Sequence, residues 1–199
     1  IDTYGGAFAM GRHLVGRGHR RIAFVRGPER NFEASERLRG FRDAVAAAGE
    51  SAVELPGDFT EAAGAAAVGT ALAHHPRPSA LFAANDAMAL GALITLKAAG
   101  IAVPEGMALA GFDDIPVARY VSPALTTVHV PIDDLGTRAM ELLLAALEDG
   151  EGHEPRHEVL AASLVVRRSC GADRGPVLEL APTRPETADR PATLEKGGR

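Results

Sequence analysis

Ser79-Ala-Leu-Phe-Ala-Ala-Asn85-Asp86-Ala-Met-Ala-Leu-Gly91 is the stretch whose reading decides the fold. Its apolar run, Ala80 to Ala84, is too short for a helix and fits a buried strand. A polar pair follows at once, and then a helical pattern. Open α/β sheets place their ligand contacts at the carboxyl ends of buried parallel strands. Asp86 is expected to cap the helix, its carboxylate accepting one of the orphan N–H groups. That leaves Asn85, with a donor and an acceptor on one short arm, either to face a crevice or to shape the strand-to-helix turn.

The rest of the chain repeats this unit. A helix is expected from Tyr4 to Val15, with Gly18 as a left-handed cap, and Arg21 to Val25 is a strand. Glu33 to Ala48 is helical, with Leu38, Phe41 and Val45 on one face and Gly49 closing it. Ala52 to Leu55 is a weak strand. Thr60 caps an alanine-rich helix that buries Val68 and Leu72, and His74-His75-Pro76 ends it. The helix after Asp86 carries Ala89, Leu93 and Leu96 inward and ends at Gly100, with Ile101 as the apolar partner of a Schellman cap. Met107 to Phe112 is a fourth, continuously apolar strand. Strand centres Ile22, Val53, Leu81 and Leu109 recur at roughly 30-residue intervals, the length of a βαβ unit. Right-handed crossovers then give a parallel, doubly wound sheet with helices on both faces.

Beyond Asp113-Asp114 the pattern changes. Leu125 to Val130 is extended and ends at Pro131. Asp133 caps a helix to about Glu148, with Leu135, Ala139, Leu142 and Leu143 facing inward. Val159 to Arg167 is a last strand, and 171–199 is expected to be a disordered tail, since it turns to Pro, Thr, Glu, Arg and Gly without period.

Hydrophobic residues make up 46% of the 199, enough for a core, and no run approaches a membrane span. The formal charge of -5 argues against nucleic-acid binding by electrostatics alone. The single Cys170 excludes an internal disulfide and a cysteine-based metal cluster. Ile1-Asp2-Thr3 has neither initiator Met, basic start nor cleavage site, so a cytoplasmic piece of a longer chain is expected. The turn after the first strand, Arg26-Gly27-Pro28-Glu29-Arg30, has one glycine where a dinucleotide loop needs three. A phosphate-binding Gly-Lys-Ser/Thr and a Gly-x-Ser-x-Gly elbow are absent from the sequence. The histidines lack acidic partners at metal-ligand spacing, so structural or solvated roles fit them better. The arginines at 12, 17, 20 and 21 match a helix C-terminus.

Four chemistry-bearing residues remain at the strand ends: Arg37, Phe59, Asn85 and Asp113. They supply a guanidinium, an aromatic face, an amide and a carboxylate. Such a set can hold adjacent hydroxyls in a bidentate way and stack on a sugar or a base. It contains no nucleophile and no acid–base pair, so a catalytic role, a metal and a cofactor are not expected.

Gly18-His-Arg-Arg-Ile22, Glu36-Arg-Leu-Arg-Gly-Phe41, Gly57-Asp-Phe59, Ala84 to Gly91, Val103-Pro104, Gly111-Phe-Asp-Asp-Ile115, Pro123 to Val128, Leu135-Gly136 and Leu164 to Ser169 resemble the effector-binding region of the lactose-repressor (LacI/GalR) family. The resemblance runs in order over residues 2 to 169. It implies a periplasmic-binding-protein-like body of type I, with two α/β lobes, three crossing strands and an effector between the lobes. Residues 3–129 with 155–169 would form most of the C-terminal lobe. Residues 130–150 would be a crossing strand and a helix of the N-terminal lobe. Arg37, Phe59, Asn85 and Asp113 would be effector contacts, joined by Asp2, Val130 and Ile132 at the crossings. The family's helix-turn-helix domain, hinge helix and most of its N-terminal lobe would precede Asp2. An N-terminally truncated regulator is thus expected, reaching operator DNA only through a domain outside this sequence. The family dimer would use helices 60–74 and 86–99 and the loop 114–122. The implied effector is sugar-like or purine-like. A sugar-binding protein of a transport system is the alternative with the same fold, and an enzyme of doubly wound fold is a third reading that lacks a nucleophile.

Overall fold

The computed structural model describes residues 1–149, 154 and 156–171, and the backbone of Val177–Glu179. Helices α1 (Thr3–Gly16), α2 (Phe32–Ala47), α3 (Glu61–Ala73) and α4 (Asp86–Ala98) alternate with strands β1 (Arg21–Val25), β2 (Ser51–Leu55), β3 (Ala80–Ala83) and β4 (Ala108–Ala110). The four strands are parallel in the order β2-β1-β3-β4. The chain therefore leaves β1 on one side for β2 and returns on the other for β3, which puts a topological switch point between β1 and β3.

Helices α1 and α2 pack together on one face, α3 and α4 on the other. Phe24 of β1, Phe41 of α2 and Phe82 of β3 form the centre of the first layer. Their rings lie 4.9 to 5.7 Å apart in stacked and edge-on pairs, and none is exposed. On the second face, Ala67, Val68, Leu93 and Leu96 are buried against the sheet. The caps expected at Thr60 and Gly100 form, whereas Asp133 lies inside the first turn of its helix rather than capping it. Thr60 accepts from Ala63 N, and Gly100 adopts φ 70° while Ile101 N bonds back to Leu96 O at 2.9 Å.

Strand β4 is shorter than Met107–Phe112, because beyond Ala110 its partner changes. Isolated parallel bridges join Ala110 to Thr126 and Asp113 to His129, carrying the sheet on to β5 (Thr127–His129). There β5 pairs antiparallel with β6 (Ser163–Val165), and β6 with β7 (Val177–Glu179). Strand β6 is thus three residues long where a last strand from Val159 to Arg167 was expected. Strand β7 falls within the stretch expected to be disordered; the remainder of 172–199 lies outside the described residues, as do 150–153 and 155.

Helix α5 (Ile132–Asp149) corrects another expectation. Leu135, Ala139, Leu142 and Leu143 do not face inward, for the helix has no buried residue. It leaves the sheet at Pro131 and runs clear of the core, so its apolar face stays open, with Leu143 53% exposed. One tie to the body's C-terminal segment is Arg138, which pairs with Glu158 at 2.7 Å.

Candidate functional site

The β3–α4 turn departs from the sequence reading. Asn85, not Asp86, caps α4: its backbone is extended, and its Oδ1 accepts from Met88 N at 2.9 Å. The same amide donates through Nδ2 to Phe59 O at 3.0 Å. An N-cap residue must lie outside helical φ/ψ, and here Asn85 does so while Asp86 is already the first helical residue. Asp86 turns inward instead and is fully buried. Asn85 thereby pins Phe59, which sits at φ 73°, a left-handed conformation that a bulky side chain adopts only when its neighbours enforce it.

Arg37 rises from the second turn of α2 into the switch point. Its Nη1 donates to Ala84 O at 2.5 Å and lies 3.1 Å from Asp113 Oδ1. Its Cζ stands 3.9 Å from the centroid of the Phe112 ring and 5.8 Å from that of Phe59. The side chain is only 12% exposed, and its Nε is buried without a partner. Burial lowers the Arg37 pKa, while Asp113 and Glu33 oppose the shift. Burial likewise raises the Asp113 pKa, and Arg37 holds it back. Arg37 is desolvated while Asp113 keeps an exposed edge, and the low exposure of the guanidinium strengthens the hydrogen bonds it makes.

Asp113 has φ 110° and Asp114 φ 56°, so the chain turns through two consecutive left-handed residues after β4. Asp113 N donates to Val128 O at 2.8 Å, and Asp114 binds Arg167 Nη2 at 2.6 Å. The structure thus brings Arg37, Phe59, Asn85 and Asp113 into one connected wall at the carboxyl edge of the sheet. The other three candidates sit at a helix cap, in the core and at the start of α5. Asp2 caps α1 by accepting from Gly5 N at 2.8 Å. Val130 is buried in the core at 8% exposure, and Ile132 opens α5 at 62%.

Two clefts are lined by other residues. One of about 230 Å³ is bounded by Arg26 to Glu29 with Ala34, Ser35 and Leu38, and one of about 310 Å³ by Val121 to Ala124 with Arg167 and Arg168. Among the described residues no cluster of three His, Cys, Asp or Glu could hold a metal.

Sequence reasoning missed Asp86, Asp114, Arg167 and Phe112. One signal was available. Arg167 continues an apolar strand, where a guanidinium needs a carboxylate, and the Asp113-Asp114 doublet offers two.

Residues 12–170 match the periplasmic binding protein-like domain. The chain is 41% identical over 172 residues to the HTH-type transcriptional regulator CelR of Thermobifida fusca, covering 85% of this chain and 50% of that one. A solved CelR–cellobiose complex superposes with a TM-score of 0.76 at 40% identity, over 85% of this chain and 52% of that one. A LacI-family regulator from Enterococcus faecium with bound ribose gives 0.79 at 29% identity, over 84% and 63%. A LacI-family protein from Sanguibacter keddieii gives 0.79 at 37% identity, over 86% and 67%. The chain spans about half the length of the curated relatives it matches. By sequence, by fold and by the order of its motifs, this chain belongs to the periplasmic binding protein-like domain family, in the LacI family of transcriptional regulators.

Proposed function

We propose that this chain is the effector-sensing part of a LacI-type regulator, which binds a small sugar-like ligand at the Arg37–Asp113 wall and so adjusts the regulator's affinity for operator DNA. The observation that carries the reading is the Arg37–Asp113 pair itself. A desolvated guanidinium with a spare donor stands beside a carboxylate and under Phe59, a combination suited to vicinal hydroxyls on a ring. Asn85 adds its second amide hydrogen, the first being held by Phe59 O. A nucleoside-like ligand is the second class that the aromatic face admits. The relatives bound to cellobiose and ribose favour a sugar, and their being transcriptional regulators favours this reading over a transport protein.

Effector binding would act by differential affinity for two arrangements of the regulator. DNA contact would belong to a domain outside this sequence, and the reading places the protein in the cytoplasm beside its operator. No described helix is long and apolar enough to cross a membrane. Pairing into a homodimer through α3, α4 and the loop 114–122 is part of the reading. Exposed Ile94, Val117 and Tyr120 on those elements support it.

Titrating cellobiose and ribose into the intact regulator by calorimetry tests the site. Asp113→Ala is expected to weaken binding by about 10- to 100-fold, because Arg37 loses its anionic partner and the ligand loses an acceptor. Asn85→Ala is expected to weaken binding and also to cost about 1 kcal/mol of stability through the lost cap. Unchanged affinity in both variants would sink the assignment.

A further inference from the structure

Asp86 occupies a place that neither helix capping nor effector contact explains. It is fully buried, and the bonds to its carboxylate come from a backbone amide and a hydroxyl. Oδ2 accepts from Ile115 N at 3.0 Å, and Oδ1 accepts from Thr127 Oγ1 at 2.6 Å. Thr127 Oγ1 in turn receives Asp114 N at 3.4 Å. The Asp86 backbone N–H donates to Phe112 O at 2.7 Å. One residue therefore grips the chain on both sides of Asp113 and ties it to β5. Gly111 leaves the room this requires, since a Cβ there would stand 2.1 Å from Asp86 Oδ1. The segment so held contains the two successive left-handed residues, Asp113 and Asp114, which local preference alone would not maintain.

We propose that Asp86 is a positioning residue for the effector wall: its carboxyl group holds the left-handed Asp113–Asp114 turn and thereby sets the Asp113 carboxylate against Arg37 and the ligand. The proposal rests on the reading of Asp113 as an effector contact.

The surroundings also make this strut responsive to protons. Burial is the main cause that raises the Asp86 pKa, to about 7; the Asp113 and Asp114 carboxylates push the same way, while the bonds from Thr127 and Ile115 oppose. The other charged or titratable side chains around the turn are Arg37 from α2, Arg167 after β6 and His129 of β5, the last 3.3 Å from Asp114. Above neutrality the ionised carboxylate accepts two charge-assisted bonds that fix the turn locally, although burying the charge costs the fold as a whole. Below it, the neutral acid holds Ile115 N by an ordinary bond. The folded state takes up a proton that the unfolded chain does not hold between about pH 4 and about pH 7, so the contribution of this group to stability falls as pH rises through that window.

Two-dimensional NMR of the 199-residue chain from about pH 5 to about pH 9 tests this without any ligand. The amides of Asp113, Asp114 and Ile115 are expected to move together with a midpoint near 7. That movement is expected to vanish in Asp86→Asn, whose Oδ1 can still accept from Ile115 N, and to persist in His129→Gln. In the intact regulator, cellobiose is expected to bind several-fold more tightly at pH 8 than at pH 6. Asp86→Asn should flatten that profile, and Asp86→Ala should weaken binding by about tenfold. Amides that stay still near neutrality would overturn the proposal. So would an Asp86→Ala protein that binds cellobiose as the parent does while Asp113→Ala does not. If Asp113→Ala also binds normally, the effector reading falls first and the proposal with it. Where cellobiose does not bind the parent, the amide titration decides alone.

Discussion

Alanine in place of Gly64 or Gly91 is expected to cost about 3 kcal/mol of folding stability, while alanine in place of Gly69 on the same face of the sheet is expected to add about 0.5–1 kcal/mol. The opposite signs come from the crossing of α3 and α4. A Cβ on Gly64 would stand 1.9 Å from Met88 O, and one on Gly91 would stand 1.9 Å from Glu61 O. Each helix thus lays a glycine against the other's backbone, and neither obstacle is a side chain that can swing away. An added methyl group must push the helices apart, which loosens the packing around Val68 and Ala92. At Gly69 nothing lies within 4 Å of the added atom, so only the helix-propensity gain remains. Urea unfolding at unchanged slope reads the difference directly. Equal midpoints for the Gly64→Ala and Gly69→Ala proteins would refute this account of the crossing.

The second large effect is expected at Asp114. Its side chain is 8% exposed and bonds to Arg167, itself 15% exposed, at 2.6 Å; Arg167 also donates to Leu125 O at 2.8 Å. Removing one member of such a pair strands the other charge, and roughly 3–5 kcal/mol is the usual cost. Asp114→Ala should approach the upper end, since alanine also suits the φ of 56° poorly. Asp114→Asn, which keeps an acceptor and tolerates the left-handed region, should lose distinctly less. Asp114→Ala combined with Arg167→Met should cost less than the two single changes added together, because the double variant leaves no buried charge unpaired. Denaturant midpoints for the four proteins close that cycle, and strict additivity would show that the pair contributes nothing specific. The pair fastens the end of β6 to the turn bearing Asp113, so effector affinity should fall in step with stability.

Much of the architecture was legible because it is written locally. Apolar runs of strand length, helical stripes such as Leu38, Phe41 and Val45, and glycines after each stripe are short-range signals. Those signals placed β1, β2, β3 and the first four helices within a residue or so. The handedness of βαβ crossovers then supplied the parallel sheet without any knowledge of packing. The same logic put Phe59, Asn85 and Asp113 after strands and Arg37 in the opening of the second helix, hence on one edge.

What the residues alone could not decide was where side chains turn once the edge is assembled. Asn85 and Asp86 are both good caps by propensity, and only the presence of Thr127 and Ile115 N from distant segments draws Asp86 inward and leaves the cap to Asn85. Helix α5 shows a clear apolar stripe, which dictates that a face be covered but not by what; its place on the body leaves that face open. Gly64 and Gly69 look alike within one alanine-rich helix, and the crossing with α4 alone separates them. The sequence by itself determined the order and type of the elements and the edge that carries the chemistry, because those depend on backbone preference and periodicity. Tertiary structure decided the partners of Asp86, Asp114 and Arg37. Burial turns a carboxylate or guanidinium towards whatever polar group lies within hydrogen-bond reach, and residues 29 to 76 positions apart along the chain meet only after the sheet has formed.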